Sequence, residues 1–190
     1  MLLKGIFSKP SSLQCQRSLF YWINLQFNAL DEQRQNKLGS DRTCAEWILR
    51  NGGTIKWVNS SDVLTDYNEL PKEGSVRRLQ EVDATNTNIM VNGFEHFRGC
   101  DNLTKLVLNR CYYVEDKALA ELHHLKNSLL FLQVSSCPNV TDKGLIGLSV
   151  LKNLKDLVLY DLQSVKDLEK AVGALKSDLP RCNVRTEEYK

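Results

Sequence analysis

Residues 103–122 read LTKLVLNRCYYVEDKALAEL, and residues 129–148 read LLFLQVSSCPNVTDKGLIGL. Laid over one another, Leu103, Leu106, Leu108, Cys111, Val114, Asp116, Leu119 and Leu122 fall on Leu129, Leu132, Val134, Cys137, Val140, Asp142, Leu145 and Leu148. Every pair is separated by the same interval, so chance is a poor explanation. In each L-x-L the two apolar residues alternate and point to one face of a short strand. The cysteine follows where the chain turns off the strand. A free Cys is a small buried hydrophobe and suits a ladder inside a stack. Asp116 and Asp142 then stand where a helix N-cap is needed, ahead of Lys117–Leu122 and Lys143–Leu148. Leu119/Leu122 and Leu145/Leu148 recur at helical spacing. Each unit is a strand, a turn and a helix.

A period in the range of roughly 20–29 residues marks leucine-rich repeats, and the pattern L-x-x-L-x-L-x-x-C-x-x-V-x-D is their cysteine-containing variety. The array extends both ways. Leu79, Val82, Ala84 and Thr87 take the same positions before the first unit, with Phe94 and Phe97 on the helix side. Leu154, Leu157, Leu159, Leu162 and Val165 follow the second, with Asp167 as the next cap. Leu179, Cys182 and Val184 give a last, truncated strand. The expected fold class is α/β: four to five units with parallel strands starting near residues 79, 103, 129, 154 and 179.

The chain has 190 residues, 42% hydrophobic and 25% charged, with a net charge of +2. That is one globular domain, or a small domain plus a repeat array, and no overall nucleic-acid signature. The opening segment, Met1 to Leu30, lacks Asp and Glu but holds Lys4, Lys9, Arg17 and four serines. A basic, Ser-bearing, acid-free start describes a mitochondrial transit peptide, expected over residues 1–19 with cleavage near Arg17–Phe20. No stretch approaches the ~18 apolar residues of a membrane span. The six cysteines form no C-x-x-C pair, so a disulfide framework is not expected. His123 and His124 are adjacent on one helix with no cysteine pair nearby, which argues against zinc.

Residues 20–74 show no repeat and read as a helical cap covering the first end of the array at 75–190. Phe20, Trp22, Ile23, Leu25, Phe27 and Leu30 suggest an amphipathic helix. Trp22 and Phe27 could anchor to the membrane or pack on the first repeat, and packing is the expectation, since a helix beside an open array end has a face to cover. Asp41 is the expected cap of a second helix that Asn51-Gly52-Gly53 stops. Thr54–Val58 reads as a strand and Asn59–Asp62 as a turn.

No nucleophile–base pair, glycine-rich phosphate loop or other reaction centre assembles from the sequence, so the chain is not expected to be an enzyme. The outward strand positions form columns instead. The first is Asp83, Val107, Gln133, Val158 and Asn183; the second is Thr85, Asn109, Ser135, Tyr160 and Arg185; the third is Asn86, Arg110, Ser136, Asp161 and Thr186. Such repeat faces bind proteins. Val107, Gln133, Ser135, Val158 and Tyr160 are the expected partner-binding residues.

Several motifs outside the bare repeat are more specific. They are Tyr21-Trp22-Ile23-Asn24, Asp41-Arg42, Ala45-Glu46-Trp47-Ile48-Leu49-Arg50, Asp66-Tyr67-Asn68 with Leu70-Pro71, and Asp83-Ala84-Thr85. In the repeats they are Tyr113-Val114-Glu115-Asp116 and Asn139-Val140-Thr141-Asp142-Lys143-Gly144. In these motifs, from about Phe20 to Leu179, the chain resembles the mitochondrial ATP synthase subunit s (coupling factor B) family. The resemblance implies a non-catalytic accessory factor that supports proton-coupled ATP synthesis through protein–protein binding. It implies a peripheral position on the matrix side of the inner membrane, touching membrane-sector or stalk subunits, with no nucleic acid or small-molecule substrate. It also implies a magnesium (Mg2+) site formed through backbone amides, which fall here on Gly52 and Thr85. A dithiol that relatives carry as C-x-C reads Asn109-Arg110-Cys111 here and does not transfer. The related distal membrane-arm assembly component of respiratory complex I shares the repeat type, so complex I assembly is the alternative. A leucine-rich-repeat ubiquitin-ligase adaptor is a second alternative, opposed by the acid-free start and the Trp22/Trp47 cap.

Overall fold

The computed structural model describes residues 12–187, with side chains from residue 20 onward. The expected transit segment therefore lies largely outside the described residues. Three helices open the chain: α1 (Ser12–Asn28), α2 (Glu32–Leu38) and α3 (Ser40–Arg50). Seven strands follow: β1 (Thr54–Trp57), β2 (Val63–Leu64), β3 (Leu79–Asp83), β4 (Lys105–Asn109), β5 (Phe131–Ser135), β6 (Asp156–Tyr160) and β7 (Asn183–Arg185). They form one mixed sheet in the order β2-β1-β3-β4-β5-β6-β7. β3 to β7 are parallel, while β1 runs antiparallel to both its neighbours. The segment ahead of β3 therefore adds two strands to the sheet as well as covering its end with helices.

Helical segments connect the parallel strands. They are a 3-10 run at Val91–Phe97, α4 (Asp116–Ala120) running into Glu121–Leu125, α5 (Asp142–Gly147) running into Leu148–Val150, and α6 (Leu168–Asp178). The register places Val82, Leu106, Leu132, Leu157 and Val184 side by side. All five are buried, and one apolar core runs without a break from Cys44 to Val184. Cys111 and Cys137 are fully buried beside it, and their thiols donate to the carbonyls of Ala84 at 3.0 Å and Ser135 at 3.3 Å. The contact with Cys137 and burial push the Cys111 thiol up, so it stays protonated.

The last strand departs from the expected alignment. Val158 pairs with Arg185, not Asn183, so Val184 lies beside Leu157 rather than Leu159. The preceding connection is the cause: α6 is 11 residues of regular helix, where α4 and α5 are only 5 and 6 before they tighten.

The chain leaves four strands through a residue in the left-handed region: Asn86, Arg110, Ser136 and Asp161, with φ from 48° to 59°. For Arg and Ser this costs about 1–2 kcal/mol each. The same residues continue the ladder: the amides of Asn86, Arg110 and Ser136 donate to Asn109, Ser135 and Tyr160 carbonyls at 2.9, 3.0 and 3.3 Å. Each such bond contributes about 1 kcal/mol, so ladder and strain roughly balance.

The aspartates do not act as the local caps expected. Asp116 is the first residue of α4, and its carboxylate accepts from the amide and hydroxyl of Thr141 at 2.8 and 2.7 Å, at the start of α5. Asp142 likewise accepts from the amides of Lys166 and Asp167, at 2.9 and 3.0 Å, just before α6. Those two amides hold the Asp142 carboxyl below the usual carboxylate range. Asp41 accepts from the Leu79 amide at 2.9 Å, while Gly39 stands at the N-cap of α3. Asp167 alone of the four caps its own helix, through the Lys170 amide at 2.9 Å. The terminal acidic group is drawn to whichever amide lacks a partner, and in three cases that amide lies in a later segment of the chain.

Gly144 is set by this arrangement. A Cβ there would lie 2.3 Å from Asp116 Oδ1 and 3.1 Å from the Asp116 Cα. Gly144→Ala is therefore expected to destabilise the chain by roughly 1–3 kcal/mol. Asp116→Ala should also destabilise, and the double variant should cost less than the two combined, because both disrupt one contact. Urea unfolding of the three variants checks this; strict additivity would separate the two residues.

Candidate partner-binding face and cap junction

The sheet face turned away from the helices carries three rows. Glu81, Lys105, Phe131, Asp156 and Asn183 form one; Asp83, Val107, Gln133, Val158 and Arg185 form the middle; Asn109, Ser135 and Tyr160 form the third. Burial divides the expected binding residues. Val107, Ser135 and Val158 are buried, and only Gln133 and Tyr160 keep partial exposure. Gln133 spans the buried valines, its amide donating to Ser135 Oγ at 2.9 Å and Tyr160 Oη at 3.2 Å. Ser135 Oγ passes the chain on to Asn109 Oδ1 at 3.0 Å. The third column adds Ser136 Oγ donating to Asp161 at 2.6 Å. These bonds tie the polar side chains into an ordered surface over an apolar floor.

The sequence reading missed the first row. Glu81 pairs with Lys105 at 3.1 Å and with Lys56 at 3.4 Å. Burial opposes its ionisation, but the two lysines outweigh it and hold the carboxyl below the usual range. Lys105 also sits 5.8 Å over the Phe131 ring, and Arg185 pairs with Asp156 at 3.2 Å. These residues lie two before the chosen column, and period-two alternation places them on the same face.

The residues behind the family-like motifs gather at the junction of helices and sheet. Asn28 is fully buried at its centre. Its Oδ1 accepts from Trp47 Nε1 at 2.9 Å and the Met90 amide at 2.8 Å; its Nδ2 donates to the Asn24 and Asn88 carbonyls at 2.8 and 3.0 Å. The Trp47 ring stacks on His96 at 5.0 Å and meets Phe94 and Phe97 edge-on. Gly93 is required for this approach, since a Cβ there would lie 2.6 Å from both Asn28 and Trp47. Nearby, Glu46 is buried yet charged. Burial raises its pKa, but a bidentate Arg34 at 2.8 and 2.9 Å and Arg42 at 2.8 Å lower it further, leaving the carboxyl below the usual range. Arg42 also donates to the Pro71 carbonyl, and Arg50 to Tyr67 Oη at 2.7 Å. The expected packing of Trp22 and Phe27 is not found: they are 57% and 51% exposed, beside exposed Phe20 and Tyr21.

Gly52 and Thr85 do not offer a magnesium site. Gly52 closes α3 at φ 84°, its amide donating to the Leu49 carbonyl at 3.1 Å while the Gly53 amide reaches Ile48 at 3.0 Å. This is the glycine-closed helix end that the sequence predicts. The Thr85 amide donates to Asp83 Oδ1 at 2.9 Å. Both groups are donors already spent within the chain, and magnesium takes oxygen ligands.

No family model matches the chain. Curated relatives do. ATP synthase subunit s, mitochondrial, of Rattus norvegicus is 40% identical over 177 residues, covering 90% of this chain and 88% of the relative. The Homo sapiens protein of that name is 37% identical over 190 residues, covering 97% and 94%. Distal membrane arm assembly component 2 of Drosophila melanogaster is 24% identical over 191 residues, covering 93% and 66%.

Two measurements test the junction and the metal. Asn28→Ala orphans the Trp47 and Met90 donors and should cost roughly 2–4 kcal/mol, seen as a lowered Tm; an unchanged Tm refutes the junction's role. Calorimetric titration of the purified chain with magnesium should give no saturable heat, and a saturable magnesium isotherm abolished by altering Thr85 would restore the site.

Proposed function

The chain belongs to the family of mitochondrial ATP synthase subunit s, and from that premise we propose that it is a non-catalytic accessory factor of mitochondrial ATP synthase. The observation that carries this reading is the match to relatives of that name over nearly the whole of both chains. The chain is built as a cysteine-containing leucine-rich-repeat array at 75–190 with a cap at 20–74, following a transit segment at 1–19. The constant interval between the two central units and the parallel alignment of β3 to β7 support that architecture.

The working surface is the sheet face, where Gln133 and Tyr160 are presented over Val107, Ser135 and Val158. A rigid, hydrogen-bonded surface loses little side-chain freedom on binding, which favours a stable contact with a subunit. The protein sits on the matrix side of the inner membrane and touches a membrane-sector or stalk subunit. α1 leaves Phe20, Tyr21, Trp22 and Phe27 exposed, and amphipathic rings such as Tyr21 and Trp22 gather at the headgroup level of a bilayer. Among the described residues no helix is long and apolar enough to cross a membrane. Its bound state limits proton leak through the synthase and so supports coupled ATP synthesis.

A second reading, assembly of respiratory complex I, is favoured by the Drosophila relative. Affinity purification from mitochondria separates the two. ATP synthase subunits should dominate the bound fraction, and Gln133→Glu/Tyr160→Ala should lose them; dominance of complex I intermediates would overturn the proposal. Mitochondria lacking the protein should show added proton leak that an ATP synthase inhibitor removes. A leak insensitive to the inhibitor would exclude the coupling role.

A further inference from the structure

On the helical side, away from the sheet face described above, four metal-capable groups converge. Glu121, His123 and His124 stand on the tightened turn after α4, and their ligand atoms lie within 4.8 Å of one another. Glu95, on the Val91–Phe97 turn of the preceding unit, reaches His124. His124 Nε2 is 3.5 Å from Glu121 Oε2 and 3.8 Å from Glu95 Oε2. Ligands held 2.0–2.1 Å from a tetrahedral zinc are about 3.3 Å apart. The two His124 separations are thus within about half an ångström of those in a filled site, and the wider spacings of the cluster, up to 4.8 Å, close as the ion is taken up.

Three further observations point the same way. His124 Nε2 is shielded from solvent and has no hydrogen-bond partner among the described residues. A buried ring nitrogen without a partner is costly, and a cation would satisfy it. His123 Nδ1 is 3.0 Å from the Ala120 carbonyl. The tautomer that donates there leaves Nε2 free, the outer hydrogen bond that orients ligating histidines. The two rings tilt together at 4.1 Å between centroids.

We propose that Glu95, Glu121, His123 and His124 form a binding site for a first-row divalent cation of the zinc type, clamping two successive units on their helical side. Two imidazoles and carboxylate suit such ions better than magnesium or calcium, which prefer oxygen alone. Sequence alone shows only adjacent histidines; Glu95, from the preceding unit, completes the set once the units stack. Arg98, 3.8 Å from Glu95 and half-exposed, balances that carboxylate in the absence of the ion.

The test is calorimetry of the full chain, carrying no histidine tag, with zinc, together with visible absorption of the cobalt-loaded protein. One zinc per chain with micromolar affinity is expected, with the intense cobalt bands of a four-coordinate site and a raised Tm. Glu121→Gln and His124→Ala should each weaken zinc by at least about tenfold, and Arg98→Ala should strengthen it by releasing Glu95. Circular dichroism confirms that each variant is folded. Glu121, about a third exposed, carries the test if His124→Ala is not. No saturable zinc binding, or binding unchanged in folded Glu121→Gln, would overturn the proposal.

Discussion

Carboxylates bonded to amides of the next segment hold this protein in line. A short parallel strand followed by one or two turns of helix has no stability of its own. It needs its neighbour to bury the leucines, and it needs the neighbour's helix to start at the right height. The leucines supply the first requirement without direction, since apolar contact is indifferent to small slips. The second is met by Asp116 gripping Thr141 and Asp142 gripping Lys166 and Asp167. Hydrogen bonds are directional, so these contacts fix the register that burial leaves loose. Where they end, the spacing relaxes: Asp167 caps its own helix, α6 runs its full length, and β7 joins two residues away from the expected alignment.

The periodic part of the fold was legible because burial follows the same spacing in sequence and in space. Strand positions, the buried cysteines and the glycine stop at Gly52 all follow from local rules. The errors share one cause. Asp41, Asp116 and Asp142 look like caps locally, yet their partners lie 38, 25 and 24–25 residues on. No local rule reaches that far. The antiparallel β1 could be placed as a strand, but not paired, for the same reason. The expected binding column does lie on the sheet face, but alternation alone does not foresee its burial. Val107 and Val158 look exposed by alternation, yet both are buried on either side of Gln133.

The motifs that tie this chain to its family have a structural explanation. Trp47 bonds Asn28, Glu46 takes Arg34 and Arg42, Arg50 meets Tyr67, and Arg42 reaches Pro71. Burying the Glu46 charge costs several kcal/mol, which a bidentate arginine and a second guanidinium can offset. A weaker partner could not, so arginines rather than lysines stand here. These residues build the cap, and Asp41 fastens it to the first parallel strand through the Leu79 amide. Their contacts define the cap, and the sheet face is carried by other residues.

That division says where the chain is free to specialise. The junction around Asn28 tolerates little, because both Oδ1 bonds there are made and Gly93 leaves no room for a methyl group. The sheet face is different. Its partly exposed Gln133 and Tyr160 stand over buried Val107 and Val158, and exchanging either of the two polar side chains leaves the ladder beneath in place. The exposed aromatics of α1 are freer still, since they contribute little to the core they border. A scaffold of this kind can keep its register and cap while its exposed side chains change, and relatives over most of this chain carry names as different as ATP synthase subunit s and distal membrane arm assembly component 2.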